Sequence, residues 1–109
     1  MTKQEALTKH RTMWNLIADM IEAGEIYDDV IKYKDEALKK MKEEHRPIWL
    51  CYCCDYAKGC SDCPVIWGNS KEKCEAAEYG SFKNSLKAGN YIKAASIARE
   101  IANLPEREE

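Results

Sequence analysis

Histidine, glycine and proline are scarce in this chain, and so is any imbalance of charge. Two His, five Gly and three Pro occur among 109 residues. So little Gly and Pro, beside 45% hydrophobic and 33% charged residues, excludes a low-complexity chain and points to a folded, helix-rich one. With two histidines in all, neither in the setting of a metal that keeps an open position beside a general base, no catalytic metal set is expected. Ser-His-Asp, Cys-His, His-Glu-x-x-His and Gly-rich phosphate loops are likewise missing, so an enzyme is not expected. The formal charge of −2, from 17 basic and 19 acidic side chains, argues against a simple polyanion binder. No apolar run approaches the roughly 18–20 residues that cross a bilayer. The opening Met1 to Ala6 runs directly into Lys9, His10 and Arg11 without the apolar stretch of a signal peptide. A soluble cytoplasmic protein with no membrane partner is the expectation.

What is present is helical periodicity around one block of cysteine. The expected fold is mainly α, a small single domain over 1–109: a helical arm (1–45), a cysteine-rich zinc region (46–75), C-terminal helices (76–105) and a frayed tail (106–109). Ala6, His10, Met13, Trp14, Ile17, Met20 and Ile21 recur at spacings of three and four, predicting one helix from about Thr2 to Ala23. Thr2 with Glu5 fits a capping box, and Gly24 suits a helix end. A second helix is expected from Ile26 or Tyr27 to about Glu44, with Val30, Ile31, Lys34, Ala37, Leu38 and Met41 on its apolar face. Pro47 forbids its continuation. Glu75 to Lys87 and Tyr91 to Leu104 predict a helical hairpin, with Gly89 ending one helix, Asn90 capping the next and Pro105 closing it. The hairpin is expected to join the shared core, since a single unit of a solenoid repeat does not stand alone.

All six cysteines fall between Ile48 and Cys74. Cys51 and Cys54 form one Cys-x-x-Cys pair, and Cys60 and Cys63 a second, followed by Pro64. Each pair can wrap two thiolates onto one ion while backbone N–H groups point at sulfur, and two pairs complete a tetrahedron. In a reducing cytoplasm such clusters favour metal over disulfides. One structural Zn2+ is the preferred cofactor. An iron–sulfur cluster is the alternative, for which the Cys63-Pro64 step speaks and the charged Asp55, Lys58 and Asp62 do not. Cys54, Cys60 and Cys63 are the core ligands. The fourth is Cys51 or Cys74, since only five residues separate the pairs. Cys53 is expected to be packed or free, and His45 is a weak substitute ligand. His10 lies on the buried side of the first helical pattern, a core position more than a ligand one. Trp14, Trp49 and Trp67 are read as hydrophobic mass for a small core.

Three blocks of the sequence also resemble a family of small phage and prophage proteins of Gram-positive bacteria that carries a central Cys-x-x-Cys…Cys-x-x-Cys-Pro cluster. They are His10-Arg11-Thr12-Met13-Trp14-Asn15-Leu16-Ile17-Ala18, then Cys51-Tyr52-Cys53-Cys54-Asp55-Tyr56-Ala57 with Cys60 to Gly68 and Cys74, and finally Ile101-Ala102-Asn103-Leu104-Pro105. The charged stretch from Ile26 to Glu44 departs from that pattern. The resemblance implies a phage accessory protein in the host cytoplasm, and it brings no established activity. A protein-interaction module follows as the leading expectation, an inhibitor or modulator of a host defence component or another host or phage protein, with a homodimer compatible with unmatched apolar faces. The alternative is a nucleic-acid-binding zinc regulator whose phosphate-contacting edge would be Lys39, Lys40, Lys42, Arg46 and Lys58.

Overall fold

The computed structural model describes residues 2–43, 52, 65 and 78–106. Helix α1 spans Lys3–Glu22, α2 Val30–Lys40, α3 Glu78–Lys87 and α4 Tyr91–Ala102. Among the described residues these four helices account for nearly all regular structure; outside them lie an antiparallel bridge between Val65 and Glu106 and the helical backbone at Tyr52. The Cα radius of gyration, 13.0 Å, is that of one compact domain of about this length.

Local chemistry sets the helix ends. Thr2 caps α1, its Oγ1 accepting from Glu5 N–H at 3.1 Å, and Asn90 caps α4, its Oδ1 accepting from Lys93 N–H at 3.2 Å. Gly24 and Gly89 sit at φ +89 and +72. At each, the following residue's N–H reaches back five positions, Glu25 to the Met20 carbonyl and Asn90 to that of Ser85, both at 2.9 Å. This is the glycine-closed C-terminal motif, in which the left-handed residue turns orphan carbonyls onto donors.

Helix α2 departs from the expected bounds at both ends. It begins at Val30 because the Asp29 carboxylate accepts from Ile31 N–H at 3.0 Å, so the chain from Ile26 to Asp28 lies outside the helix. It stops at Lys40 because Lys42 takes φ +57, and Glu43 N–H reaches the Leu38 carbonyl at 3.1 Å. The same closing motif is made here without glycine. Val30, Tyr33, Lys34, Ala37 and Leu38 are buried, an i, i+3, i+4, i+7, i+8 set. Ile31 lies one step round the helix from Val30 and is 43% exposed, against the apolar role expected of it; of Ile26 and Tyr27, Ile26 is 51% exposed and Tyr27 packs on the core. The hairpin of α3 and α4 begins at Glu78 within the described residues and ends at Ala102, and its helices pack on each other and, through α4, on α1. The hairpin is thus part of the shared core.

Helices α1 and α4 run antiparallel. His10 Nε2 meets the Ile101 carbonyl at 3.0 Å, an N–H···O contact that leaves this buried imidazole a structural partner of α4. Further along, Asn15, Asp19 and Glu22 share one face of α1 and converge on Arg99. The guanidinium donates to Asn15 Oδ1 at 3.0 Å, Asp19 Oδ1 at 2.6 Å and Glu22 Oε1 at 2.7 Å. Hydrogen bonds to Asp19 and then Glu22 hold its pKa above the ordinary value. Trp14, 3% exposed, sits edge-on to Phe82 and Tyr79 with centroids 5.1 and 6.0 Å away. Phe82 continues to Tyr33 and Tyr33 to Tyr27, at 6.3 and 5.0 Å, so a chain of edge-to-face rings ties α1, α3 and α2 together. Lys34 is buried in this aromatic wall, its ammonium 4.5 Å from the Tyr79 ring centroid and 3.1 Å from the Tyr79 hydroxyl. The rings and the phenol oxygen offset the desolvation of its charge.

Candidate metal centre

The five candidate ligands Cys51, Cys54, Cys60, Cys63 and Cys74 lie outside the described residues, as do Cys53, His45, Trp49 and Trp67. What is described of this segment is two residues, and both are anchors. Tyr52, inside the first Cys-x-x-Cys pair, is 1% exposed, and Val65, two residues past the second pair, is fully buried; both belong to the one hydrophobic core.

Each anchor is held at the N-terminal half of α1. The Tyr52 hydroxyl donates to Glu43 Oε2 at 3.2 Å, and the same oxygen accepts the Lys9 ammonium at 3.0 Å. That ammonium also stands 5.6 Å from the centroid of the Tyr52 ring, so ring, carboxylate and cation form one closed set. The Glu43 side chain is only 16% exposed, a setting in which a charge-assisted hydrogen bond keeps more of its strength than at open surface. At the other anchor Val65 pairs with Glu106, whose carboxylate accepts from Gln4 Nε2 at 3.2 Å and meets Lys3 Nζ at 3.4 Å. Glu106 was expected in a frayed tail; its backbone instead pairs with Val65, while 107–109 lie outside the described residues. The backbone at Tyr52 is helical.

No family model, no curated protein and no solved structure matches the chain. The chemistry of the candidate centre rests on its donor set. Four thiolates, from Cys54, Cys60, Cys63 and either Cys51 or Cys74, are soft, strong ligands suited to a closed tetrahedral Zn2+, which would supply folding free energy and no open coordination position. Four thiolates on one Zn2+ carry a net charge of about −2, and Lys3 and Lys9 are the cations that the described structure places at the two anchors. Among the described residues no three His, Cys, Asp or Glu side chains are grouped to hold a metal. His10 is engaged with α4, and Trp14 lies in the core.

Sequence reasoning did not single out Tyr52, Val65, Lys9 or Glu43. The available signal was modest: Tyr52 is a large aromatic residue between two cysteines, and Val65 opens the apolar Val65-Ile66-Trp67 run after Pro64. Of the lysines named for a phosphate-contacting edge, Lys39 pairs with Glu36 at 3.1 Å and Lys40 with Glu25 at 3.8 Å. Arg46 and Lys58 are outside the described residues. No helix among the described residues is long and apolar enough to cross a membrane.

Proposed function

We propose that this chain is a zinc-stapled protein-interaction module, binding rather than catalytic, that acts on a host or phage protein, with a host defence component as the favoured target. The observation that carries the proposal is the double anchorage of the cysteine segment, Tyr52 on Glu43 and Val65 on Glu106, two carboxylates that Lys9, Lys3 and Gln4 of α1 hold. A metal held by Cys54, Cys60 and Cys63 between these anchors, and by Cys51 or Cys74 beyond them, would staple the segment to the helical body, and a rigid body lowers the entropy cost of docking. The phage-family resemblance of the three sequence blocks supports a target in the host cell. Lys39 and Lys40 stand beside Glu36 and Glu25, so the part of the proposed phosphate-binding edge that is described carries both signs of charge.

The test is affinity capture with the zinc-loaded full chain from a Gram-positive host lysate treated with nuclease. One host protein retained by the zinc-loaded chain and lost from the Cys60→Ser variant is the expected result. Retention of nucleic acid alone, falling steeply as salt rises, would replace the proposal with the zinc-regulator reading.

A further inference from the structure

Ile92, in the first turn of α4, is 88% exposed. It borders an open groove of about 510 Å³ lined by the apolar Ile21, Tyr91, Ile92 and Ala95 and, in about equal measure, by polar groups that include Glu22 and Arg99. A large aliphatic side chain standing almost wholly in water beside a hollow that is apolar on one wall is the arrangement expected of a knob awaiting a hole. The groove is also stiff. Arg99, at its far end, ties α4 to α1 through Asn15, Asp19 and Glu22, so the hollow is preformed.

The charges at the edges choose the occupant. On the α1 side stand Asp19 and Glu22, whose side chains are 60% and 54% exposed; two carboxylates sharing one guanidinium leave that edge about one unit negative. At 100° per residue along α4, Lys93 flanks the groove on the edge away from α1, and it is exposed. Glu100, on the same flank, lies about two turns further on. Near Ile92 the face therefore has a negative edge, an apolar middle and a positive edge. A face so divided complements its own copy about a two-fold axis running along α4: each Ile92 enters the other groove, and each Lys93 lies over the other Glu22. An isologous contact of this kind satisfies both edges at once.

We propose that the groove between the end of α1 and the first half of α4 is a homodimer interface, with Ile92 as its central anchor. The purified chain alone tests it, so that failure of the host-partner reading would leave this result untouched. Sedimentation velocity of the metal-loaded protein from about 10 µM to about 1 mM is expected to show a reversible dimer with Kd of about 1–100 µM. Ile92→Glu, at a position too exposed to affect folding, is expected to raise that Kd by about 100-fold or more. Ile31→Glu, an exposed isoleucine on α2, is expected to change it by less than about threefold. Glu22→Lys and Lys93→Glu should each weaken the dimer about tenfold, and their combination should recover most of the loss. A monomer at every concentration, or a dimer indifferent to Ile92→Glu, would overturn the interface. A double charge variant no tighter than either single one would overturn the two-fold arrangement.

Discussion

Replacing Tyr52 by alanine probes the joint between the cysteine segment and the helices. Tyr52 is 1% exposed, and truncating a buried aromatic residue costs about 3–5 kcal/mol in transfer and cavity terms. Part of that sum is polar. The hydroxyl donates to Glu43 at 3.2 Å, and a bond to a charged acceptor contributes about 1.5–3 kcal/mol where both groups are buried. Here Glu43 keeps Lys9 at 3.0 Å, so Tyr52→Phe, which removes the hydroxyl alone, should cost only about 1 kcal/mol. The ring's contact with the Lys9 ammonium at 5.6 Å, about 0.5–1 kcal/mol, is lost in the alanine variant and kept in the phenylalanine one. Tyr52→Ala at about 4 kcal/mol would remove a large share of a stability of about 5–15 kcal/mol and lower Tm by about 15–30 °C. Circular dichroism melts of the zinc-loaded protein measure this directly. Competition with a chromogenic chelator should show weaker zinc retention in the same variant, because the residue lies between Cys51 and Cys53 and order in the site is linked to folding. A Tm within about 3 °C of the parent would refute the burial of Tyr52 in the common core, and unchanged zinc affinity would refute the coupling.

Three further outcomes follow from particular residues. Lys42 adopts φ +57, a conformation that costs a side chain about 1 kcal/mol, so Lys42→Gly should stabilise the protein by about 0.5–1 kcal/mol in urea unfolding; a loss of stability would contradict the left-handed closing of α2. Burial raises the Tyr33 phenol above its ordinary pKa of 10.0, while its hydroxyl donates to the Glu25 carbonyl at 2.9 Å and accepts from Tyr27 N–H at 3.0 Å. The neutral form is the one the fold prefers, so this contribution is whole below pH about 10 and is lost as pH rises through the raised value; Tyr33→Phe should be less stable at neutral pH by about 1 kcal/mol and should lose that alkaline slope. Cys60→Ser or Cys63→Ser should unfold or aggregate the chain while Cys53→Ser stays mild, and whichever of Cys51→Ser and Cys74→Ser lowers zinc affinity more names the fourth ligand; normal stability in both Cys60 and Cys63 variants would remove the structural metal.

Helix ends marked by a residue with a single structural use were legible in the sequence. Thr2, Gly24, Gly89 and Asn90 each act as their chemistry predicts, because a cap or a left-handed turn is decided within four or five residues. Helix α2 was harder to read, since its C-terminal turn is made by a lysine, and a left-handed lysine leaves no mark in the sequence. Its apolar face was drawn through Ile31 on hydrophobicity, whereas the period centred on Val30 selects Tyr33, whose hydroxyl finds both of its partners in the turn before the helix. Lys34 was assigned to the apolar face by its position, and its burial against Tyr79 and Trp14 accounts for how a charge can lie there. At the candidate metal centre, the cysteine spacing carries the chemistry, but which part of the segment meets the helices depends on contacts between residues far apart in sequence. Tyr52 to Lys9 and Val65 to Glu106 are such contacts, and local patterning does not encode them.

Native mass spectrometry of the purified chain, with and without a chelator, tests the central claim most directly. One zinc ion per chain, removed by the chelator with loss of the folded charge-state distribution, is the predicted result. A metal-free mass short by paired hydrogens, which would mean disulfides, or a mass carrying iron and sulfide, would contradict it.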